Sequence, residues 1–226
     1  MVDAALRLLA ESSDFDVATR AVCEAVGVTQ PVLYRLFGDK RGLLDAVADH
    51  GYERYAALKQ AQGQTADPVA DLMAGWDNHM AFARENPALF QLMFAPRPRS
   101  NSTARQRVFD LLVAKLVRCA AAGVLRIEPR TAAELILSAG VGIALDHIAK
   151  PELFDDPALS HQMRDAVFSS VLIRSMTADE GDPLRSAALR LYAQLELTGT
   201  GPLEPEETAL LRRWLTLMGR PPAPSS

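Results

Sequence analysis

The chain has 226 residues, 49% of them hydrophobic, with 24 basic and 28 acidic side chains and a formal net charge of −4. That length supports one large domain or two small ones and buries roughly 70–75% of the unfolded surface, so folding requires no disulfide or metal staple. The overall charge singles out no partner. The first residues, MVDAALRLLAESSDF, carry acidic flanks and no basic segment, which argues against a signal peptide.

Apolar residues recur at spacings of three and four almost everywhere and period-two stretches are absent, so the expected fold class is all-α. A first helix is expected over Val2–Glu11, with Ala5, Leu6, Leu8 and Leu9 on its apolar face. Asp16 is expected to cap a second helix carrying Val22, Cys23 and Val26, which Gly27 ends in the left-handed conformation. Thr29 is expected to cap a short third helix with Gln30 and Pro31 in its first turn, where proline loses no helical hydrogen bond. Gly38-Asp39 breaks the chain before a long helix over Lys40–Gln60. Further helices are expected over 68–84, from Asn86-Pro87 as a short aromatic segment, and over 103–122, 131–149, 157–177, 183–197 and 204–218. APRPRSNS reads as a flexible loop and RPPAPSS as a disordered tail. Cys23 and Cys119 sit in apolar patterns and read as buried thiols of a reducing compartment. No apolar run of about 18 residues is apparent, so the chain is expected to span no membrane and to be cytoplasmic.

Residues 26–40, VGVTQPVLYRLFGDK, hold the most informative pattern. On a helix, Leu33, Leu36 and Phe37 fall at i, i+3 and i+4 and are expected to share the buried face, which leaves Gln30, Tyr34, Arg35 and the Thr29 hydroxyl pointing elsewhere. Two short helices joined by the tight turn Gly27-Val28-Thr29, with a polar outer face on the second, describe a helix-turn-helix. In that motif the second helix enters the DNA major groove with its N-terminal residues at base edges. The Tyr34 hydroxyl suits a phosphate, and Lys40 with the first-turn N–H groups of its helix suits another. Short helical pairs with glycine turns also occur in ordinary bundles, where an exposed tyrosine is simply a surface residue.

The segment AVCEAVGVTQPVLYRLFGDKRGLLDAV resembles the N-terminal domain of the TetR family of transcriptional regulators, whose pattern is close to I-A-x-x-A-G-V-[ST]-x-x-x-[LI]-Y-x-[HY]-F-x-x-K-x-x-L. Val22 and Cys23 stand at the I-A pair, Gly27-Val28-Thr29 at G-V-[ST], and Leu33-Tyr34 at L-Y. Phe37, Lys40 and Leu43 match the F, the K and the final L. The resemblance covers residues 1 to about 50 and includes buried as well as exposed positions. A weaker likeness extends to GWDNHMAFARENPALFQLMF, similar to ligand-domain helices of one branch of the family. It implies a homodimeric, all-helical repressor that leaves a palindromic operator when a small ligand binds. DNA contacts are then expected at Thr19, Arg20, Thr29, Gln30, Pro31, Tyr34, Arg35 and Lys40. Val17 stands where the family often has Thr, with Thr19 or Arg20 as substitutes for that phosphate contact, and Val26 replaces a small residue beside Gly27. The family's basic segment before the first helix has no counterpart after Met1. Residues 1–45 hold five basic against seven acidic side chains, a net of −2. Two readings follow: a modest, steeply salt-dependent affinity, or a natural start upstream.

Trp76, Met80, Phe90, Met93 and Phe94, with Asn78 and His79 among them, make mostly apolar walls with a few polar groups, which suit either a small-molecule pocket or a plain core. Asp146 and His147 interrupt the apolar helix LILSAGVGIALDHIAK as either an inward polar pair or a solvated helix end. The resemblance adds weight to a pocket lined by these residues and filled by a mainly apolar ligand. Ser138, Gly140 and Gly142 on the same helix invite close approach. Two interior glycines each cost about 1 kcal/mol against alanine, so this helix, with the one after Pro157, is expected to form the dimer bundle.

Catalysis finds little support. His50, His79, His147 and His161 show no metal-ligand spacing, and Phe154-Asp155-Asp156 lies in a loop without a second acidic cluster. No cofactor and no metal are expected. Two other classes remain beside the regulator: a helical protein-interaction module without DNA binding, and an all-helical enzyme. The expected division is a helix-turn-helix domain over 1–46, a ligand-binding and dimerisation domain over 47–219, and a tail over 220–226.

Overall fold

The computed structural model describes residues 1–12, 15–95, 103–156, 158–173, 183–199 and 201–219. The expected loop beyond Ala95 and the tail from Arg220 lie outside them, as do Pro157 and the expected helical residues beyond Ile173. Among the described residues there are eleven helices and no strand. These are α1 (Val2–Glu11), α2 (Thr19–Val26), α3 (Gln30–Phe37), α4 (Lys40–Ala61), α5 (Pro68–Glu85), α6 (Pro87–Phe94), α7 (Thr103–Ala121), α8 (Pro129–Ala149), α9 (Leu159–Val171), α10 (Pro183–Thr198) and α11 (Pro205–Met218).

The chain forms two compact units. The first gathers Met1–Gly63, Asp77–Val108 and Val141–Pro157. Its N-terminal helices close over Ala5, Leu9, Val22, Leu33, Leu43 and Val47, all buried. Gly27 ends α2 at φ 68°, and the Val28 N–H closes back on the Cys23 carbonyl at 3.0 Å, a turn that favours glycine. A Cβ at Gly42 would lie 1.9 Å from the Phe37 carbonyl oxygen. Only glycine therefore lets the first turn of α4 pass that close to the end of α3.

Three local expectations are corrected by the structure. Asp16 does not cap α2: residues 16–18 are outside the helix, with Val17 buried, and the helix starts at Thr19 with the extended Ala18 as its cap. The Asp16 carboxylate instead accepts the Val17 N–H at 2.8 Å. Leu36 is not buried: it is 61% exposed while Leu33 is fully buried. A helix advances 100° per residue, so Phe37 lies about 40° to one side of Leu33 and Leu36 about 60° to the other. A helix of only eight residues buries the narrow stripe between Leu33 and Phe37 and leaves Leu36 on the flank. Thr29 occupies the cap position of α3, yet its hydroxyl makes no capping bond.

The second unit gathers Gln64–Trp76, Phe109–Gly140 and Ala158–Ser226. The buried Asp71 carboxylate accepts hydrogen bonds from Arg118 Nη1 at 2.6 Å and from the Thr65 hydroxyl and N–H at 2.8 and 3.0 Å. Arg118 also donates to the Thr65 carbonyl at 2.5 Å. These bonds hold the turn before α5 to α7. The helix expected to reach Thr177 ends at Val171, because Leu172 pairs with Leu125 in an isolated antiparallel bridge. The Ile173 N–H reaches the Val124 carbonyl at 3.0 Å and the Arg126 N–H reaches the Val171 carbonyl at 2.8 Å. Both leucines are buried, and their segments satisfy each other's backbone groups.

The expectation of no membrane-length run also needs correction at α8. Its 21 residues and mean hydropathy of 1.5 over an 18-residue window are enough, by length and composition, to cross a bilayer. Only 33% of that window is buried.

Candidate functional site

The first candidate surface is the outer side of α3. Thr29, Gln30, Pro31, Tyr34 and Arg35 are all exposed, and Tyr34 keeps 43% of its surface open. Leu33 anchors the helix from beneath, so the exposed side is presented by a fixed element. Thr19 is half-buried and Arg20 exposed at the start of α2.

Two cations beside this surface are engaged with carboxylates. Lys40 Nζ lies 2.7 Å from Asp16, and Arg20 Nε lies 2.8 Å from Glu24. The Lys40 ammonium holds the Asp16 carboxyl below its ordinary value through a hydrogen bond, helped by the Val17 N–H. At the start of α4 the Asp39 carboxylate accepts the Gly42 N–H at 2.7 Å. The helix start expected to receive a phosphate therefore already carries a negative side chain on one of its N–H groups.

The second candidate site is a buried aromatic cluster in the first unit. Tyr55 of α4 and His79 of α5 meet through the phenol oxygen and Nδ1 at 2.6 Å. Phe90 and Phe94 of α6 stand edge-on to the imidazole at 5.1 and 5.6 Å between ring centres, and Phe82 lies 4.8 Å from the Tyr55 ring. Tyr52 packs against Phe94 at 5.4 Å and donates its hydroxyl to the Met93 carbonyl. Burial pushes the Tyr55 phenol up, so it stays protonated and is the natural donor to Nδ1. Of the residues expected to face a ligand, His79, Phe90 and Phe94 meet here. Met93 joins through its carbonyl, and Met80 is buried.

The other expected ligand residues lie elsewhere. Trp76 belongs to the second unit, where its indole N–H donates to the Ser160 hydroxyl at 3.1 Å and its ring stands edge-on to Phe168 at 6.0 Å. Asp146 is exposed, and the half-buried His147 faces Phe154 at 6.4 Å between ring centres. Tyr52, Tyr55 and Phe82 were not singled out from the sequence. The two tyrosines stand three apart on α4, on one face, and that spacing could have marked them.

On α8 the small residues point in two directions. Ser138 and Gly142, with the 44%-exposed Leu135, share the outer stripe, and Gly140 is buried on the other side. A Cβ at Gly142 would meet nothing within 4 Å. Among the described residues no group of three or more His, Cys, Asp or Glu side chains is placed to hold a metal.

Residues 1–47 match the model of bacterial regulatory proteins of the tetR family, and residues 72–218 match that of the tetracyclin repressor-like C-terminal domain. The chain belongs to the tetR family. It is thus a DNA-binding regulator with a helix-turn-helix and a larger helical domain, and α8 lies inside that tetracyclin repressor-like domain. No curated protein sequence matches the chain. Among solved structures, the fatty acid degradation regulator FadR of Bacillus halodurans is 16% identical with a TM-score of 0.59, covering 74% of this chain and 95% of its own. FadR of Bacillus subtilis, solved with stearoyl-CoA, is 17% identical with a TM-score of 0.59, covering 74% of this chain and 96% of its own. A Rhodococcus sp. RHA1 protein of unknown function is 19% identical with a TM-score of 0.61, covering 76% and 95%. At these identities the likeness establishes the shared fold of this tetR-family chain.

Proposed function

We propose that this tetR-family regulator is a cytoplasmic homodimeric repressor that reads a palindromic operator through α3 and releases it when a mainly apolar ligand engages the Tyr55–His79 cluster. The observation that carries this reading is the course of α4, which starts with Lys40 directly behind the reading helix and carries Tyr52 and Tyr55 into the aromatic cluster. A ligand that displaces the Tyr55–His79 bond acts on the same helix that carries Lys40. To release DNA it must bind the arrangement incompetent for the operator more tightly than the competent one. By reciprocity, DNA weakens the ligand by the same factor. A long acyl chain is the ligand class to test first, because it fits phenylalanine walls and because B. subtilis FadR was solved with stearoyl-CoA. Selection of operator DNA from random duplexes, followed by titration of the complex with stearoyl-CoA and with free stearate, tests both halves. A protein that enriches DNA but ignores both compounds leaves the operator half standing and removes the acyl half.

In the DNA half, Gln30 reads a base edge while Tyr34 and Arg35 hold the backbone. Gln30→Ala should change preference at one or two base pairs, whereas Tyr34→Phe should weaken all sequences alike. The dimer is assigned to the outer stripe of α8, where the exposed Leu135, Ser138 and Gly142 leave room for a second copy to approach closely. Gly142→Leu enters open space within its own chain, so a loss of dimer on sedimentation, with the fold intact, would come from the partner. A fully dimeric Gly142→Leu protein would remove α8 from the interface.

A further inference from the structure

Residues 1–45 supply little net attraction for DNA phosphates. Residues 1–45 are net negative, and two of their five cations, Arg20 and Lys40, are already paired with carboxylates. Contacts at base edges must then supply more of the binding than in a protein with a basic reading head. On α3 the exposed polar residues Gln30, Tyr34 and Arg35 account for hydrogen bonding. They leave unexplained a leucine, Leu36, that is 61% exposed on the same eight-residue helix.

We infer that Leu36 is a sequence-specifying residue that packs against the 5-methyl group of a thymine in each operator half-site. This rests on the DNA-binding reading above and adds to it a base identity. The placement supports it in three ways. At 1.5 Å per residue, Leu36 lies about 9 Å along the helix axis from Gln30, under three base-pair steps of about 3.4 Å, so both residues can serve one half-site. Helical side chains lean toward the N-terminus, which carries Leu36 back over Val32, the half-buried residue one turn earlier, and toward the base-reading end. Val32 and Leu36 thereby form an apolar flank of the exposed side, across Pro31 and Arg35 from Gln30 and Tyr34. A leucine offers no hydrogen bond, and the one apolar feature that distinguishes bases in the major groove is the thymine methyl.

The test begins with the duplex that the full-length protein enriches from random sequence. Each thymine in that duplex is replaced in turn by deoxyuridine, which removes the methyl and keeps every hydrogen-bonding atom. One symmetry-related position should weaken the parent about fourfold per half-site, the worth of one buried methyl. Leu36→Ala should bind thymine and uracil equally at that position and keep the parent's base preferences at the others. Leu36→Met should retain the discrimination, and Leu36→Gln, of similar size, should lose it, which gives a second polar variant if alanine unsettles the helix. Thymine-to-uracil ratios that are the same in parent and Leu36→Ala at every position would overturn the assignment while leaving operator recognition intact. A parent indifferent to every thymine methyl would do the same. A protein that enriches no sequence overturns the DNA reading, and this inference with it.

Discussion

In the first unit, Tyr55 and His79 meet as a buried polar pair inside a ring of phenylalanines; in the second, Asp71 and Arg118 meet as opposite charges. The carboxylate of Asp71 is saturated by donors from Arg118 and Thr65, and the guanidinium donates onward to the Thr65 carbonyl. A buried charge is tolerable only when paired and fully hydrogen-bonded, and such a network leaves little for a ligand to exchange with. The Tyr55–His79 bond joins two groups walled by apolar rings, and an entering molecule can replace it. One arrangement suits holding a turn in place; the other suits a response.

The contrast is tested most severely at Asp71. Asp71→Ala leaves Arg118 without its carboxylate and should lower the thermal midpoint further than any substitution at Tyr55, His79 or Asp16, with no specific change in operator preference. The Arg118 and then the Thr65 hydrogen bonds hold the Asp71 carboxyl below its ordinary value. A carboxylate with a depressed native pKa stabilises the fold above its unfolded value, about 3.9, and that stability is lost as pH falls through the lower native value. Parent and Asp71→Asn should therefore differ fully at pH 7 and converge below about pH 4. Equal stability of the two at neutral pH, followed by urea unfolding, would show that the pair is not the staple.

The middle effect belongs to the Tyr55–His79 pair. Tyr55→Phe removes the phenol from a buried imidazole nitrogen and should cost about 1–2 kcal/mol, less than the charged staple. It should keep operator binding and change ligand release. Gel-shift titrations with stearoyl-CoA across parent, Tyr55→Phe and His79→Phe measure this. Unchanged release in both variants would place the ligand outside the cluster.

The same contrast explains what could be seen in the sequence. Helix positions followed from apolar spacing and from Gly27, Pro31 and Asp39, because those signals are local. The cluster was half legible: His79, Phe90 and Phe94 lie close together in the chain, and Tyr52 and Tyr55 come from 24 or more residues away on α4. Trp76 looked like a member because it sits three residues before His79, yet its indole is taken up by Ser160 and Phe168, 84 or more residues away in the chain. Asp71 and Arg118, 47 residues apart, carry no local signature of their pairing. Leu36 was misplaced because an i, i+3 rule assumes a broad buried face that α3 is too short to have.

The smallest stability effect, and the sharpest functional one, should come from the exposed pair of Asp16 and Lys40. Solvent-exposed ion pairs contribute about 0–1 kcal/mol, so Asp16→Asn should unfold with almost the parent's midpoint. What changes is the field at the reading head. With Asp16 neutral, Lys40 is available to a phosphate and one repelling charge is gone. Operator affinity should rise about two- to fivefold at low salt, and the slope of log affinity against log salt should steepen by about one for the one added phosphate contact. Glu24→Gln, which releases Arg20 in the same way, should act in the same direction if the start of α2 also lies against the backbone. Should Asp16→Asn leave both affinity and salt slope at the parent's values, Lys40 is no phosphate ligand. The pair would then be what Asp71 and Arg118 are in the second unit, a structural tie, here between the segment before α2 and the start of α4.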